Sequence, residues 1–406
     1  MQVNAQLAIR STLPPILAEQ FYKLDTLIFQ HEFCIFSKLF HSTYIKILYE
    51  ILVRSICLII FTLNSVAQES IVGNYNQNFY YDLKPLRNIN GVKWKHKTEG
   101  SGSFMLLVHD GVIYSGDAVG NLYAIDTDSG KEIWIFKADG RFYNGPSIKD
   151  GALYFGVHGG SMYSLDIKTG KEIWKVKTGG SVCFPPVFNN GLGYAQIHDR
   201  NLYIFDLQDG AIKDTIPGDY WMCGVPSIAN KHVYYPDWGG NLSSYDLKER
   251  KNEWTFHTGS NSQRYTCATI TDKTAYFVAS ASTLHAIDLI SGTEIMSFKA
   301  GDKITRSPAI TENFIALTTS NSHFYVIDKN NGKVLWDYVS GGTTNSHPII
   351  VDNVVYFGSG NGTFFAFDIQ SGEKLWEIKL ETAINTPFFY ENALYFTSGK
   401  YVYRID

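Results

Sequence analysis

The chain has 406 residues and a formal net charge of −4 at pH 7, from 35 lysines and arginines and 39 acidic residues that are spread along it. This distribution argues against a nucleic-acid-binding protein, which needs a basic face to meet the phosphate backbone. The sequence also has no Walker loop, no G-x-S-x-G turn, no H-E-x-x-H pair and no cysteine–histidine set at zinc spacing. These common catalytic and metal-binding signatures are therefore excluded.

The first 90 residues do not share the pattern of the rest of the chain, and we divide them into three segments. Residues 1–50 are a leader of unsettled status, because an overcalled start would also produce them. Residues 51–67 are predicted to be a signal peptide. Residues 68–90 are predicted to be a linker to the regular part of the chain.

The signal-peptide prediction rests on the order of charged, apolar and small residues. Arg54 precedes an apolar run at residues 56–63, and the small side chains of Ser65 and Ala67 follow it. The run is too short to span a bilayer. We therefore expect cleavage after Ala67, and an uncleaved signal anchor is the alternative.

Residues 91–406 contain a repeat of about 40 residues. An aspartate ends the third apolar run of each repeat, at Asp126, Asp166, Asp206, Asp246, Asp288, Asp328, Asp368 and Asp406. A tryptophan follows most of these aspartates at a fixed offset, at Trp134, Trp174, Trp254, Trp336 and Trp376, and Trp94 precedes the first of them. Residues that recur in this way are structural, since a catalytic site does not occur once per repeat.

Each repeat has four short runs rich in Tyr, Val, Ile and Phe and bounded by Gly, Asn and Asp, which is typical of β-strands. In the second repeat they read YNGPSI, ALYFG, SMYSLD and EIWKV. The connections are too short for parallel crossovers, so each repeat is predicted to be a four-stranded antiparallel sheet. We expect Asp166 to accept backbone N–H groups of its turn and Gly170 to supply a positive φ. Trp174 is expected to fill the wedge between adjacent sheets.

Eight such sheets can bury both faces only by packing around a ring, so we predict an all-β fold, an eight-bladed β-propeller. The chain ends at Asp406, on the third strand of the eighth repeat. Trp94 lies on a fourth strand that has no sheet before it. The N-terminal strand is therefore expected to complete the last blade and remove its open edge.

The segments LYAIDTDSGKEIW, MYSLDIKTGKEIW, FYVIDKNNGKVLW and FFAFDIQSGEKLW resemble the pyrroloquinoline-quinone-type (PQQ-type) repeats of quinoprotein alcohol dehydrogenase-like propellers. The resemblance covers about residues 91–406, and among exported members the chain looks most similar to BamB-like factors of outer-membrane protein assembly. It lacks the cysteine that typical BamB-like lipoproteins carry after the signal. Asp214 and Met296 replace the tryptophan and Arg250 replaces the turn glycine, so these blades are expected to pack less regularly.

The same resemblance raises the alternative of a quinone-dependent enzyme. Quinoprotein dehydrogenases are longer, and many carry adjacent cysteines beside the quinone and a calcium set of Glu, Asn and Asp. This chain has no Cys-Cys pair and no long insertion between repeats. A calcium loop that begins at Asp126 is also rejected, because Lys137 stands where such a loop needs glutamate. We therefore expect no catalytic residue, no metal site, and neither PQQ nor calcium as a cofactor.

Three cysteines, Cys183, Cys223 and Cys267, fall within the repeats. An odd number leaves at least one free thiol in an oxidising compartment. Cys183 and Cys223 occupy equivalent positions in adjacent repeats. We interpret them as small residues that line a narrow channel, and a disulfide between them is the alternative.

The working surface is predicted on the face that carries the turns between second and third strands, together with the loops that enter the next blade. On this face, aromatic, histidine and charged residues concentrate in repeats two to five, whereas repeats seven, eight and one offer mainly Gly, Ser, Thr and Asn. Such a composition is typical of a recognition surface. The predicted binding residues are Tyr143, His158, His198, Tyr220, Trp221, Asp237, Trp238, Arg264 and Tyr265, with Arg141, Phe142 and Asp199 on the same loops. In the alternative interpretation, the aromatic residues at 220, 221 and 265 fold inward and plug the channel.

Together these features predict a non-catalytic scaffold that is exported to the periplasm or cell envelope and binds envelope or outer-membrane proteins. A propeller that binds a small molecule or glycan at the channel mouth is the first alternative, and a PQQ-dependent oxidoreductase is the second. Nucleic acid is not an expected partner. Membrane association is expected only through a partner or an uncleaved signal.

Export of the full chain should give a mature protein that begins at Gln68, because Ser65 and Ala67 present the small side chains that signal peptidase requires. N-terminal sequencing of the exported material reads this residue directly. A mature protein that still carries residues 1–50 would contradict the signal-peptide prediction.

Overall fold

The computed structural model describes residues 70–71 and 79–406, except 223, 260–267, 272, 279–281 and 345. Residues 1–50 and 51–67, and with them the predicted leader and signal peptide, lie outside the described residues. Regular secondary structure in the described part is β-strand throughout. No helix there has the length and apolar character needed to cross a membrane.

Three short strands precede the repeats: β1 (Ser70–Ile71), β2 (Tyr80–Tyr81) and β3 (Val92–Lys97). The others follow in blade order. Blade 1 has β4 (Leu107–His109), β5 (Val112–Gly116), β6 (Asn121–Asp126) and β7 (Glu132–Lys137). Blade 2 has β8 (Ser147–Lys149), β9 (Ala152–Val157), β10 (Ser161–Asp166) and β11 (Glu172–Lys177). Blade 3 has β12 (Val187–Asn189), β13 (Leu192–Ile197), β14 (Asn201–Asp206) and β15 (Ile212–Pro217). Blade 4 has β16 (Ser227–Ala229), β17 (His232–Pro236), β18 (Asn241–Asp246) and β19 (Lys251–His257).

The second half of the chain continues the pattern. Blade 5 has β20 (Ala268–Ile270), β21 (Thr274–Val278), β22 (Thr283–Asp288) and β23 (Glu294–Lys299). Blade 6 has β24 (Ala309–Ile310), β25 (Phe314–Thr318), β26 (His323–Asp328) and β27 (Val334–Val339). Blade 7 has β28 (Ile349–Val351), β29 (Val354–Gly358), β30 (Thr363–Asp368) and β31 (Lys374–Lys379). Blade 8 has β32 (Phe388–Tyr390), β33 (Ala393–Ser398) and β34 (Tyr401–Ile405), and β3 is its fourth strand.

In every blade the four strands pair antiparallel, which confirms the prediction from the short connections. The first strand of each blade is innermost. Neighbouring first strands contact each other around the axis, namely β12 with β16, β16 with β20, β24 with β28, and β32 with β4. The last contact joins blade 8 to blade 1. The predicted eight-bladed all-β propeller is therefore confirmed.

The second blade shows how a turn is built and how it meets its neighbour. Asp166 Oδ1 accepts the Thr169 N–H at 2.8 Å, and Gly170 has a φ of 67°, as predicted. Trp174 is buried, and its Nε1 donates to the Leu207 carbonyl of blade 3 at 2.9 Å. The tryptophan thus fills the wedge between two blades, and its one polar atom is satisfied there.

The same contact recurs around the ring. In five of these contacts the indole lies against the turn glycine of the next blade, where an added Cβ would lie within 3.0 Å of the indole. Glycine is therefore required twice over, for its positive φ and for the space above it. The Nε1 donors and their carbonyl acceptors are Trp94 and Thr127, Trp134 and Ile167, Trp174 and Leu207, Trp254 and Leu289, and Trp336 and Ile369.

Two departures from this contact compensate each other. Asp214 occupies the tryptophan position of blade 3, and Arg250, with a φ of 56°, occupies the glycine position of blade 4. The Arg250 guanidinium forms an ion pair with the Asp214 carboxylate across the wedge. Strand pairing in these blades keeps the order and the register shift of the others. The less regular packing expected there is not seen in the strands.

Cys183 is a buried free thiol. Its carbonyl accepts the side-chain amide of Asn144 at 3.0 Å, which ties the loop entering blade 2 to the loop entering blade 3. This agrees with the interpretation of Cys183 as a small buried residue, and the alternative disulfide is not formed. Cys223 and Cys267 lie outside the described residues.

The N-terminal strand closes the ring, as predicted. β3 pairs antiparallel with β34, and Trp94 on β3 packs onto blade 1. Residues 86–91 take the place of the turn that blade 8 lacks. The Asn90 N–H donates to the Asp406 carbonyl at 2.7 Å, as turn glycines do in other blades, and the Leu86 carbonyl accepts Trp376 Nε1 at 2.9 Å. Two chain ends thus rebuild one turn without a covalent link.

The residues before this closing segment lie inside the ring. β2 pairs in parallel with β28, and β1 pairs antiparallel with β8, so the chain adds a strand to the inner edges of blades 7 and 2. Phe79 and Tyr81 are buried, and the Phe79 ring stacks on His347 with 4.5 Å between centroids. Residues 70–71 and 80–81 of the predicted linker therefore lie on the inner edges of blades 2 and 7.

Replacing Trp94 by alanine should lower the free energy of unfolding by about 3 kcal/mol, because the large side chain is lost at the one blade that two chain ends assemble. Trp94→Phe keeps a ring and loses the hydrogen bond to Thr127, so its cost should be about 1 kcal/mol. Urea denaturation measures both values. Ile133, the half-exposed neighbour of the next tryptophan, provides the control: Ile133→Thr should change stability by no more than about 0.5 kcal/mol. Equal costs for Trp94→Ala and the control would contradict this role for β3.

Candidate functional site

Three side chains begin the same turn, after the second strand, in three successive blades. They are His158, His198 and Trp238. The backbone N–H of each donates a hydrogen bond to a carbonyl of the loop that enters the same blade. The turn is thereby held against that loop, and the three side chains emerge on one face. The donors and carbonyl acceptors are His158 and Arg141 (3.0 Å), His198 and Ser181 (2.9 Å), and Trp238 and Trp221 (2.9 Å).

The His198 imidazole lies between two indole rings. Its centroid is 4.8 Å from the Trp221 ring and 4.8 Å from the Trp238 ring. The Arg200 guanidinium carbon lies 5.2 Å from the Trp221 centroid, within the range of a cation–π interaction. One histidine, two tryptophans and one arginine from blades 3 and 4 therefore form a continuous surface.

A second group lies beside the first. The Tyr143 ring is 5.8 Å from the His158 ring, and the Arg141 guanidinium carbon is 4.9 Å from the Tyr143 centroid. His158 is near enough to His198 to influence its protonation. The loops entering blades 2 and 4 therefore contribute to one surface together with the turns of blades 2 to 4.

The two aromatic residues of the loop entering blade 4 face solvent. Tyr220 is 45% exposed and Trp221 is 42% exposed. The Tyr220 ring covers Gly239, where a Cβ would lie 2.4 Å from it. Tyr220 and Trp221 are therefore not folded into the core, and Arg264 and Tyr265, the latter part of the alternative in which the rings plug the channel, lie outside the described residues. We define the aromatic–histidine patch as Arg141, Tyr143, His158, His198, Arg200, Tyr220, Trp221 and Trp238.

Two residues of the predicted surface lie beneath it. Asp237 is 6% exposed, and its carboxylate accepts the backbone and side-chain N–H groups of Asn241 at 3.1 and 3.0 Å. Phe142 is 3% exposed and packs on Phe155. Phe142 is part of the hydrophobic core. The short turn bends Asp237 back over its own strand, so its carboxylate stabilises that turn. Asp199 likewise accepts the Tyr203 hydroxyl at 2.7 Å.

Arg200 is a member of the patch that the sequence analysis did not single out. It follows His198 and Asp199 directly, with a φ of 73° and an exposed side chain. Its sequence signal is weak, since many exposed arginines occur in turns. The contact with Trp221 comes from a different blade, so only the folded ring brings the two together.

Burial lowers the pKa of His198 below its ordinary value, and the neighbouring His158 lowers it further, while Asp199 acts in the opposite direction. At neutral pH the ring between the two indoles is therefore uncharged. Its Nε2 and the Trp238 Nε1 are buried and make no hydrogen bond within the described residues. Such groups reduce the stability of the free protein.

The other side of the same face differs in chemistry. The position of His158, His198 and Trp238 holds Ser320 in blade 6 and Gly360 in blade 7. The neighbouring loop there is held by small polar side chains, for example Ser359 Oγ donating to the Gly342 carbonyl at 3.1 Å. The unequal distribution inferred from the sequence is thus present in the folded ring.

Groups that could hold a metal ion or cofactor are few in the described part of the chain. On the patch face, the carboxylates of Asp199 and Asp237 serve their own turns, as above, and Asp117 accepts the backbone N–H groups of Gly100 and Asn121. One group of three metal-ligand side chains occurs among the described residues. It is formed by His232, Asp246 and Glu253, at the opposite end of blade 4.

A family model described as outer membrane protein assembly factor BamB matches residues 90–214 and 239–405. The chain belongs to this family. The resemblance to PQQ-type repeats drawn from the sequence is thereby confirmed. The unmatched stretch between the two ranges holds Tyr220, Trp221 and Trp238, so part of the patch lies where the chain departs from the family pattern.

Solved structures share the fold. BamB from Moraxella catarrhalis aligns with a TM-score of 0.68 at 14% identity, over 78% of this chain and 99% of that one. A europium-containing methanol dehydrogenase gives 0.67 at 14% identity, over 82% and 90%. A quinohemoprotein alcohol dehydrogenase from Comamonas testosteroni gives 0.67 at 13% identity, over 82% and 79%. These identities show the fold alone, and a comparison with curated proteins finds no match.

His198 should titrate below about pH 6.5, the usual value for histidine, since burial and His158 both disfavour its charged form. As the pH falls, the unfolded chain therefore binds the proton before the folded protein does. The stability is fully present above about pH 6.5, the pKa of the unfolded chain, and is lost as the pH falls from there through the lower pKa of folded His198. NMR of the ring nitrogens gives the pKa, and urea denaturation between pH 7.5 and 5 gives the slope. His198→Phe should flatten that slope. A His198 pKa at or above the usual value would contradict the buried position between the indoles.

Proposed function

We propose that this protein is a non-catalytic interaction scaffold of the cell envelope, and that the aromatic–histidine patch binds a partner protein. The observation that carries the proposal is the exposure of Tyr220 and Trp221 beside Arg200, on a face built by loops of a rigid ring. Tryptophan, tyrosine and arginine are the residues that contribute most binding energy at protein interfaces. Exposed apolar side chains that are grouped in a patch, as these are, mark interaction sites more often than scattered ones do.

Two further observations support a role in binding rather than in folding. The buried His198 Nε2 and Trp238 Nε1 make no hydrogen bond within the described residues, and local departures from good packing are expected at functional sites. The patch also includes residues from the stretch between the two family-matched ranges. Neither feature contributes to the repeated contacts that hold the blades together.

The partner class follows from the family. The matching model is described as an outer membrane protein assembly factor, and a solved neighbour is BamB. The predicted signal peptide at residues 51–67 would export the chain to the periplasm or cell envelope. We therefore propose an envelope or outer-membrane protein as the partner, and the periplasm or envelope as its location.

A small molecule or glycan at the channel mouth is the second candidate. The His198, Trp221 and Trp238 rings would offer apolar faces to a sugar. The channel side itself is partly filled by the chain's own residues, since Phe79 and Tyr81 lie on the inner edge of blade 7. This favours a ligand that lies across the patch over one that enters the channel.

A quinone-dependent oxidoreductase is the third candidate, because two solved neighbours are named as alcohol-oxidising enzymes. The described residues fit a quinone and its metal poorly. The channel edge is packed with Phe79, the carboxylates of the patch face serve turns, and the sequence has no adjacent cysteines. These points support the non-catalytic proposal.

Replacing Trp221 or Trp238 by alanine, in separate variants, should weaken capture of the partner from envelope extract at least tenfold while the melting temperature stays nearly unchanged, because neither ring takes part in the tryptophan–glycine contacts that join the blades. Immobilised full-length protein and quantitative mass spectrometry measure the capture. Ile290 is 87% exposed on a turn at the opposite end of its blade, so Ile290→Ala serves as the matched control and should capture normally.

Four outcomes would redirect the proposal. Undiminished capture by both variants would remove the patch from the function, and loss of the fold in either would assign the ring to the core. If an oligosaccharide competes with protein capture and the two tryptophan variants still capture protein, the result would favour a small molecule or glycan as the ligand. Turnover of alcohols with added PQQ, calcium and an artificial electron acceptor would favour the third.

A further inference from the structure

Blade 4 departs from the other blades beside its repeat aspartate, Asp246. The first residue of its second strand is His232, which pairs directly with Asp246. In the other blades this position holds a residue without a metal-binding nitrogen, namely Val112, Ala152, Leu192, Thr274, Phe314, Val354 and Ala393. An imidazole is therefore introduced at this position in blade 4 alone.

The second departure is at the bulge between the third and fourth strands. Each blade has one unpaired residue there, and in blade 4 it is Glu253. The equivalent residues are Lys93, Ile133, Ile173, Lys213, Ile295, Leu335 and Leu375. A bulge re-aims the side chain of its extra residue, and here it directs it toward the repeat aspartate.

Blades 8 and 3 have a lysine at the bulge, and they show which group fits beside the repeat aspartate. Lys93 Nζ lies 2.9 Å from Asp406 Oδ2, and Lys213 Nζ lies 3.2 Å from Asp206 Oδ2. The bulge residue thus places a cation beside the aspartate oxygen that the turn does not use. Glu253 places a second carboxylate there instead. Two carboxylates side by side repel each other, and a positive charge between them relieves this repulsion.

His232 is oriented to bind such a charge. Its Nδ1 lies 2.8 Å from the Asn230 carbonyl, which only accepts, so Nδ1 carries the proton. In the neutral ring the lone pair is then on Nε2, which lies 3.0 Å from Glu253 Oε2 and 3.7 Å from Asp246 Oδ2. Nε2 is buried and makes no hydrogen bond with either carboxylate. Orientation of one ring nitrogen by a backbone carbonyl is the usual arrangement of a metal-binding histidine.

Asp246 is prepared in the same way. Its Oδ1 accepts the backbone N–H groups of Lys248 and Glu249, at 2.7 and 2.8 Å, which leaves Oδ2 for a further ligand. The three ligand atoms lie within 4.8 Å of one another. Ligands of a tetrahedral zinc ion are about 3.3 Å apart, so a small movement of the half-exposed Glu253 completes the geometry.

We propose that His232, Asp246 and Glu253 form a site for one first-row divalent metal ion, of which zinc is the best match. The imidazole nitrogen disfavours calcium and magnesium, which prefer oxygen ligands. The ion would link the second, third and fourth strands of blade 4. This blade receives the Asp214–Arg250 pair in place of a tryptophan wedge, so the metal would reinforce a blade whose contact with its neighbour differs from the others.

The test uses the full chain, freed of metal by a chelator and titrated with zinc chloride in a calorimeter, with cobalt absorption as a second readout. We expect one ion per chain. His232→Val and Glu253→Leu each restore a residue found at the same position in another blade, and each should lower the affinity about 100-fold or more. Should either variant fail to fold, Glu253→Gln retains the side-chain volume and tests the same ligand.

His285 provides the matched control, since its Nδ1 contacts the Glu294 carboxylate on blade 5 and it belongs to no group of three ligands within the described residues. His285→Val should bind zinc as the parent does. Zinc binding that survives His232→Val and Glu253→Gln, or no binding up to about 1 mM zinc, would overturn the proposal. In the second case, a protonated Nε2 seen by NMR would show that His232 itself supplies the positive charge.

Discussion

The contact between a tryptophan on the outer strand of one blade and the turn of the next is the interaction on which the rest of the structure depends. The indole fills the wedge that a ring of flat sheets leaves between its outer edges, and its N–H satisfies a carbonyl that the turn exposes. The turn glycine beneath it has no Cβ to keep the ring away. Because the contact is made between blades, no blade can adopt its final packing alone.

The propeller is closed by the same contact between a tryptophan and the next blade, but here the two segments that meet are far apart along the chain. Trp376 Nε1 donates to the Leu86 carbonyl, which lies before the first repeat, whereas the other tryptophans donate to a turn of the next repeat. The residues that rebuild the missing turn continue inward to Phe79 and Tyr81, which pack against the inner edge of blade 7. The described residues before the first blade therefore both complete the last blade and pack on the channel side of blade 7.

A regular repeat also makes its exceptions informative. Asp214 and Arg250 break the pattern as a pair and compensate each other by charge. His232 and Glu253 break it beside one aspartate, where they form a group of three ligands in which His232 Nε2 makes no hydrogen bond within the described residues. His158, His198 and Trp238 break it at one turn position on the opposite face. Each exception has a physical partner, so departures from the repeat identify interactions that the fold itself does not need.

The sequence by itself determined the fold, because the period of Asp, Gly and Trp is a local pattern and each element of it has one structural use. It also determined that Trp94 must close the ring, since a fourth strand stood without a sheet. The burial of Asp237 and Phe142, the contact of Arg200 with Trp221, and the packing of Phe79 in the channel were decided by the tertiary structure. These features depend on which side chains from different blades meet, and a repeat pattern carries no information about contacts between residues that do not repeat.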